Sequence, residues 1–545
     1  MHFLFYPELW LVLTRTGLPK TQYCPSTMYG LVLLVHLFCL GAAQSTADPQ
    51  NATVFSLTYG YPLLAWQKFY APILEARGAN TWTHARELST PASRTVVKPN
   101  VDTIYSTLVY DLSQSDLEIT LPDVPAENFK LFSLYDPFGD NWANVGTGGF
   151  FEPGKYLIRP SGTDDGSDVG LQVINESNVA YLTSPTHYGT VLIRWGLNAN
   201  NLDLVHQLQD DCSSSVVARN YMSDVSSPRL ETLVDAFDAT SSPAENVMKL
   251  LAQFAPRTAP AASLEAAGIS NATYSPPPSV NLTVANATTL TMIVEEALDS
   301  DNLDELNNGW VALSPELIGI YGTNYALRAL IAATGYLALR NPFAVYPNFA
   351  NGTGGLANAA LTLGPDEAVL FTFSGKPPLQ DVGFWSLTAY DADNFLIPND
   401  IEVYALGDRS NLTYPDGSRV YDNSTGGNRD GVFQILLQPA DVAPPANWTS
   451  NWLPAPAGGG GVVAQLRLFA GEQAAIDGSY MYPVVTRISA LTGGNGTSNG
   501  GGSPTSSSPS GSGISTYTGN AASSAPVNIT LAIVYMVLMA STLLC

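Results

Sequence analysis

The sequence predicts a mainly β fold with some α: two jelly-roll-like β-sandwich domains connected by a helical region. Three observations predict it. Short apolar segments with period-two alternation, punctuated by Asp, Gly and Pro, run from Val96 to Trp195. Segments of the same kind return after Pro342, and the stretch between them has 3.6-residue spacing instead. The chain is 545 residues long and 45% hydrophobic, enough for about two or three domains with sizeable cores.

Taken in order, "FSLTYGYPLLAWQKFYAPILEA" carries Leu63, Leu64, Trp66, Phe69, Ile73 and Leu74 at helical spacing and predicts an opening helix. In "TIYSTLVYDL" the residues Ile104, Ser106, Leu108, Tyr110 and Leu112 share one strand face, and Tyr105, Thr107 and Val109 the other. "LEITL", "KLFSLYD", "KYLIRP", "LQVIN" and "GTVLIRW" follow as strands, completing a first sandwich. "NLDLVHQLQ", "LETLVDAFDA", "AENVMKLLAQFA", "TMIVEEAL" and "ELIGIYGTNYALRALIAATGYLAL" predict the helical region. "AVLFTF", "GFWSLTAYD", "EVYAL", "VFQILLQ" and "VVAQLRLFA" build the second sandwich. Each β region holds an apolar strand ending in Tyr-Asp, at Tyr135-Asp136 and at Tyr390-Asp391, a faint sign of kinship between them.

The ends predict processing. The run Leu31–Leu40 is too short to span a bilayer and precedes Gly41-Ala42-Ala43, so residues 1–43 read as a signal peptide; a chain started at Met28 carries a compact one. From Gly493 a Gly/Ser/Thr/Pro tract reads as a flexible stalk. The small residues around Gly519 and Asn520, then an apolar tail with no basic residue after it, predict a glycosylphosphatidylinositol (GPI) anchor at Asn520 or Gly519. A tail-anchored span is the alternative. The expected layout is residues 46–200 for the first sandwich with its helix, 201–340 for the connecting region, 341–490 for the second sandwich, 491–520 for the stalk and 521–545 for the removed propeptide. Processing would leave Cys212 as the one cysteine, without a disulfide, in an acidic loop that raises its pKa.

Ten N-x-[S/T] sequons precede residue 521, at Asn51, Asn175, Asn271, Asn281, Asn286, Asn351, Asn411, Asn423, Asn447 and Asn495, and predict a glycosylated surface. The formal net charge of −24 argues against nucleic acid as a partner. The expected partners are extracellular carbohydrate and, through the lipid anchor, the membrane. An anchored ectodomain on a stalk suggests a walled eukaryotic cell, most readily a fungus.

"NTWTHARELSTPASRTVVKPNVDTIYSTLVYDLS" resembles the family named domain of unknown function 1254, marked by Asn-x-Asp-Thr-x-Tyr-Ser. Here that segment is Asn100, Asp102, Thr103, Tyr105 and Ser106, with an upstream His-x-Arg at His84 and Arg86. "YGTNYALRA", "GFWSLTAYDADNFLIPNDIEVYALGDRS", "NWLPAP" and "IDGSYMYPVVTRI" resemble its companion, domain of unknown function 1214. The resemblance implies the two sandwiches with helices between, and no particular reaction. Phe469 and Ala470 stand where that family has a Tyr-Pro-like step, which argues against a polar role for this strand end.

Two readings of Lys98–Thr107 stay open. Asn100 and Asp102 can form an Asx-turn leading into a strand. Alternatively His84, Arg86, Asn100, Asp102 and Tyr105, with Tyr390 or Arg409 from the second sandwich, form a catalytic group. A carboxylate beside His leaves a ring nitrogen as base, while Arg neutralises a substrate carboxylate, which suits β-elimination from a uronic-acid polysaccharide. Asp102, Asp136 and Asp391 are candidates for glycoside hydrolysis, which needs two carboxylates. The histidines predict no metal site, and no cofactor is indicated. A non-enzymatic carbohydrate binder could use Trp142, Trp310, Trp448 and Trp452 as sugar platforms.

Overall fold

The computed structural model describes residues 48–94, 96–162, 168–174, 179–198, 200–219, 227–234, 236–254, 261–350, 360–421 and 431–493. The signal-peptide run, the stalk after Gly493 and the anchor tail lie outside them, as do the sequons at Asn175, Asn351, Asn423 and Asn495. Among the described residues no helix is long and apolar enough to cross a membrane.

The first β region forms ten strands: β1 (Thr83–His84), β2 (Thr103–Asp111), β3 (Asp116–Leu121), β4 (Lys130–Tyr135), β5 (Asn141–Gly146), β6 (Gly154–Pro160), β7 (Gly170–Ile174), β8 (Val179–Ser184), β9 (Tyr188–Gly196) and β10 (Ser213–Val217). They pair as two sheets, β1-β2-β9-β4-β5 and β10-β3-β6-β8-β7. One core joins them: Ile104, Leu108, Phe132 and Trp195 from the first sheet meet Leu117, Ile119, Ile158 and Leu182 from the second. β10 pairs in register with β3, so this sandwich extends to Val217, past the expected boundary at residue 200.

The second β region comprises β11 (Ala344–Val345), β12 (Ala360–Leu363), β13 (Glu367–Phe373), β14 (Leu379–Asp391), β15 (Ala405–Gly407), β16 (Phe433–Pro439), β17 (Trp452–Ala455), β18 (Gly460–Gly471) and β19 (Val484–Ser489). One sheet runs β11-β18-β14-β15, with β12 also on β18, and the other runs β17-β16-β13-β19. Phe371, Ile435 and Leu437 of one pack on Trp385, Leu387 and Leu466 of the other. The fold is mainly β with several sheets and a helical layer.

That layer contains α1 (Pro49–Gly60), α2 (Pro62–Arg77), α3 (Leu202–Asp210), α4 (Leu230–Val234), α5 (Pro243–Phe254), α6 (Ala261–Ala266), α7 (Leu282–Leu298), α8 (Tyr325–Gly335) and a short α9 (Gln473–Ile476). The opening helix of the sequence reading is two helices, because Pro62 favours a new first turn and the chain breaks at Tyr61. The long helix expected from "ELIGIYGTNYALRALIAATGYLAL" is confined to α8. Asn324 caps it by accepting from the Leu327 N–H, which starts the helix well inside the apolar run. α1 packs on α5, α6, α7 and α8.

The largest apolar cluster places the site. It joins Leu57, Leu63 and Trp66 of the helices to Val109, Leu131, Tyr135 and Leu192 from the outer face of the first sandwich, and to Phe384 and Phe469 from the second. Each sandwich thus has a sheet with two buried faces, one toward its own core and one toward its neighbours. Alternation along β2, β4 and β9 decides which side chains reach that second face.

Candidate functional site

The family-marking segment proves to be a strap between the sandwiches. Lys98 N–H donates to the Asn394 carbonyl at 2.8 Å, and the Lys98 carbonyl accepts from Arg467 Nη2 at 2.9 Å. The Pro99 carbonyl accepts from Tyr390 Oη at 2.7 Å. Val101 packs on Tyr390, Leu396 and Val463. Asn100 Oδ1 accepts from the N–H groups of Asp102 and Thr103, the Asx-turn that launches β2. Asp102 reaches Arg409 across the junction at 3.4 Å, and Arg409 Nη1 also donates to the carbonyls of Asp102 and Leu197. The Arg409 guanidinium lies over the Phe384 ring, 3.7 Å from its centroid.

The expected catalytic group is divided by β2. His84 pairs opposite Ser106, and its Nδ1 lies 2.7 Å from Ser106 Oγ on the face that holds the sandwich core. Trp195 Nε1 donates to the same hydroxyl at 2.9 Å, and Trp82 stacks on the imidazole. Burial, then Arg86 and Arg77, push the His84 pKa below its ordinary value against the pull of Asp210, which keeps the ring neutral at pH 7. Arg86 turns to α3, where it bonds the His206 carbonyl, Gln209 and Asp210. Tyr105 occupies the opposite face of β2, because successive strand residues alternate. The structure therefore joins Asn100, Asp102 and Arg409, and brings Tyr105 and Tyr390 to one cluster, but engages His84 and Arg86 elsewhere.

Two of the hydrolytic candidates lie in turns, and three of the four platform tryptophans lie in cores. Asp136 Oδ1 accepts from the N–H groups of Phe138 and Asp140, and Asp391 Oδ1 from those of Asp393 and Phe395. Both are turn-forming carboxylates. Trp142, Trp310 and Trp452 are buried in cores, and Trp448 alone of the four is partly exposed. Cys212 lies in the loop between α3 and β10, as expected, but its side chain is buried against the first core, and burial, then Asp211, push its thiol up to about 12. Asn286 is half-buried and its side chain accepts from the Tyr61 hydroxyl.

On the face where Tyr105 lies, two arginines share Tyr105 and Tyr346 as neighbours. Arg194 of β9 and Arg467 of β18 are 6% and 5% exposed. Arg194 Nη1 donates to Ser133 Oγ at 3.3 Å and Tyr135 Oη at 3.2 Å, and Nη2 to the Leu337 carbonyl at 3.0 Å. Arg467 Nη1 donates to Thr388 Oγ1 at 3.4 Å and Tyr390 Oη at 2.6 Å, and Nη2 to the Lys98 carbonyl at 2.9 Å. The two sets match atom for atom. In each, a strand supplies hydroxyl-x-Tyr-Asp, its neighbour supplies Arg, and a residue in left-handed backbone supplies the carbonyl. That residue is Leu337 at φ 64° in one set and Lys98 at φ 49° in the other. Left-handed backbone is costly for a branched or long side chain and persists where its surroundings hold it. Tyr105 and Tyr346 interact electrostatically with both arginines. Lys98, Tyr105 and Tyr346 retain some exposure.

The cluster is cationic. Among the described residues neither Arg194, Arg467 nor Lys98 is ion-paired with a carboxylate. Guanidinium has five N–H donors and stays charged, and each arginine here has three hydrogen bonds. Burying such charges costs several kcal/mol unless they are compensated. Burial, then Arg467, lower the Lys98 ammonium to about 8. The sequence reading missed both arginines. The available signal was a charged residue inside two apolar strands, "VLIRW" and "QLRLF", in a chain that is 13% charged.

Two family models match. "Protein of unknown function (DUF1254)" covers residues 79–214, and "Protein of unknown function (DUF1214)" covers 363–473. No curated protein matches the chain. Among solved structures, the VPA0106 protein from Vibrio parahaemolyticus is 16% identical with a TM-score of 0.49, covering 80% of this chain and 98% of its own. An uncharacterised protein from Burkholderia cenocepacia is 10% identical with a TM-score of 0.38, covering 79% and 88%. Lys98, Tyr135 and Arg194 fall in the first matched segment, and Thr388, Tyr390 and Arg467 in the second. The chain thus carries a DUF1254 domain followed in tandem by a DUF1214 domain.

Proposed function

We propose that the protein is a glycosylated, GPI-anchored ectodomain of a fungal-type cell surface that binds acidic extracellular carbohydrate between its two sandwiches. One observation carries the binding reading: Arg194 and Arg467 are buried at the junction with hydroxyl and carbonyl partners but no carboxylate. A carboxylate-bearing sugar supplies the missing anion, and the tyrosines supply rings and hydroxyls suited to a saccharide. Exposure of the sequon asparagines Asn51, Asn271, Asn281, Asn411 and Asn447 supports a glycosylated surface. The test uses the full chain from a secretory host, titrated with oligogalacturonate and with its carboxyl-reduced, neutral counterpart. Binding of the acidic form alone, weakened in Arg467→Gln, is expected. Equal binding of both forms, or of neither, refutes it. Release from intact cells by phosphatidylinositol-specific phospholipase C tests the anchor, and retention in the pellet refutes it.

A second reading, β-elimination from the bound uronate, is favoured by Lys98. Its amine lies beside Arg467 and is partly neutral just above pH 7, as a general base requires. Lys98→Met should then abolish formation of new carbon–carbon double bonds while acid binding persists. Double bonds still formed by that variant would exclude Lys98 as the base.

A further inference from the structure

Resting on the acid-binding reading, we infer that the site takes a ligand with two carboxylates, one for each arginine. The argument is the duplication. Arg194 with Ser133, Tyr135 and the Leu337 carbonyl, and Arg467 with Thr388, Tyr390 and the Lys98 carbonyl, are the same device built twice. In each, one guanidinium nitrogen is fixed by two hydroxyls and the other by a carbonyl, which sets the plane of the fork. A guanidinium held in a fixed plane is prepared for one carboxylate at its remaining donors. A single carboxylate held in one fork would compensate one buried charge and leave the other uncompensated. Tyr105 and Tyr346 stand near both arginines, so the two devices share one lining.

The devices come from different domains. Arg194, Ser133 and Tyr135 belong to the first sandwich, and Arg467, Thr388 and Tyr390 to the second. The Lys98 carbonyl crosses from the first domain to complete the second device. A two-acid ligand therefore bridges the sandwiches, and two adjacent uronic-acid residues of a saccharide, or a simple dicarboxylate, have the required chemistry.

Titration calorimetry on the full chain, with galacturonic acid and digalacturonic acid as probes, tests this. The diacid should bind one-to-one and at least about tenfold tighter than the monoacid, because the second contact is intramolecular. Monoacid binding at two equivalents per chain supports the two devices equally. Arg194→Gln and Arg467→Gln should each reduce the diacid to monoacid affinity, and the wild-type comparison stands alone if either variant fails to fold. Equal affinities with one monoacid per chain overturn the two-point inference and leave acid binding intact. No binding of either acid overturns both.

Discussion

Asp408, at the end of β15, is the most informative residue to change. Its Oδ1 accepts from the Trp385 N–H at 2.9 Å, and it sits next to Arg409, the arginine that clasps Asp102. Burial pushes its pKa from 3.8 up to about 6, with Asp102 adding to the rise and Arg409 and the Trp385 N–H opposing it. The folded value lies above the unfolded one. Asp408 therefore favours folding below about pH 4, and that contribution is lost as pH rises through about 6. The interval from 3.8 to about 6 corresponds to about 3 kcal/mol at most, and partial exposure reduces this to about 2 kcal/mol.

Asp408→Asn removes the titrating charge and keeps an oxygen for the Trp385 N–H. It should leave stability at pH 4 unchanged and raise it by about 2 kcal/mol at pH 7.5, a gain of about 2–4 °C in Tm for a chain of this size. Thermal melts of the full chain at the two pH values, followed by tryptophan fluorescence, measure it. The same shift at both pH values would refute the reasoning, since the effect could not then come from ionisation. A lower Tm at pH 7.5 would refute it differently, by making the Asp408 carboxylate a net stabilising partner of Arg409.

Four further outcomes are expected. Asp102→Asn should cost about 1–2 kcal/mol in denaturant unfolding, because Arg409 loses its carboxylate but keeps two carbonyls and the Phe384 ring; His84→Ala, by contrast, should leave acid binding unchanged in the same titrations. Gly189→Ala should cost more than about 3 kcal/mol or prevent folding, because its Cβ would meet Tyr110 Oη at 2.1 Å and the Tyr135 carbonyl at 2.4 Å, read out as soluble yield and Tm. Acid-ligand affinity should fall as pH rises through about 8, where Lys98 loses its proton, and Lys98→Met should flatten that profile in titrations from pH 6 to 9.

The strands and their faces were legible because period-two alternation is a local signal. "TIYSTLVYDL" announced its own two faces, and β2 has them. Helix limits were less legible: Asn324 starts α8 by a cap inside an apolar run, and Pro62 splits the opening helix, both local choices that apolar periodicity obscures. The site was least legible. His84, Arg86, Asn100, Asp102 and Tyr105 are neighbours in sequence, yet strand alternation sends Tyr105 and His84 to opposite sides of one sheet. Arg194 and Arg467 share Tyr105 and Tyr346 only because sheets from two domains join one apolar cluster, and no local pattern encodes that.

The Tyr-Asp strand ends, visible in the sequence as a faint echo, acquire a physical reason in the structure. In each, the Asp turns the chain by accepting two backbone N–H groups, at positions two and four residues on. That turn fixes the end of the strand, and the preceding Tyr is thereby held where its hydroxyl meets an arginine of the neighbouring strand. The Ser or Thr two residues earlier lies on the same face and receives the same guanidinium nitrogen. A single such device would be an ordinary buried arginine, satisfied in part by hydroxyls. Two of them, with one arginine anchored on a carbonyl of the other domain's strap, make the charge of each sandwich a problem that neither solves alone. On the acid-binding proposal the compensating anion sits where both domains contribute, and the second domain then completes the site that the first one begins.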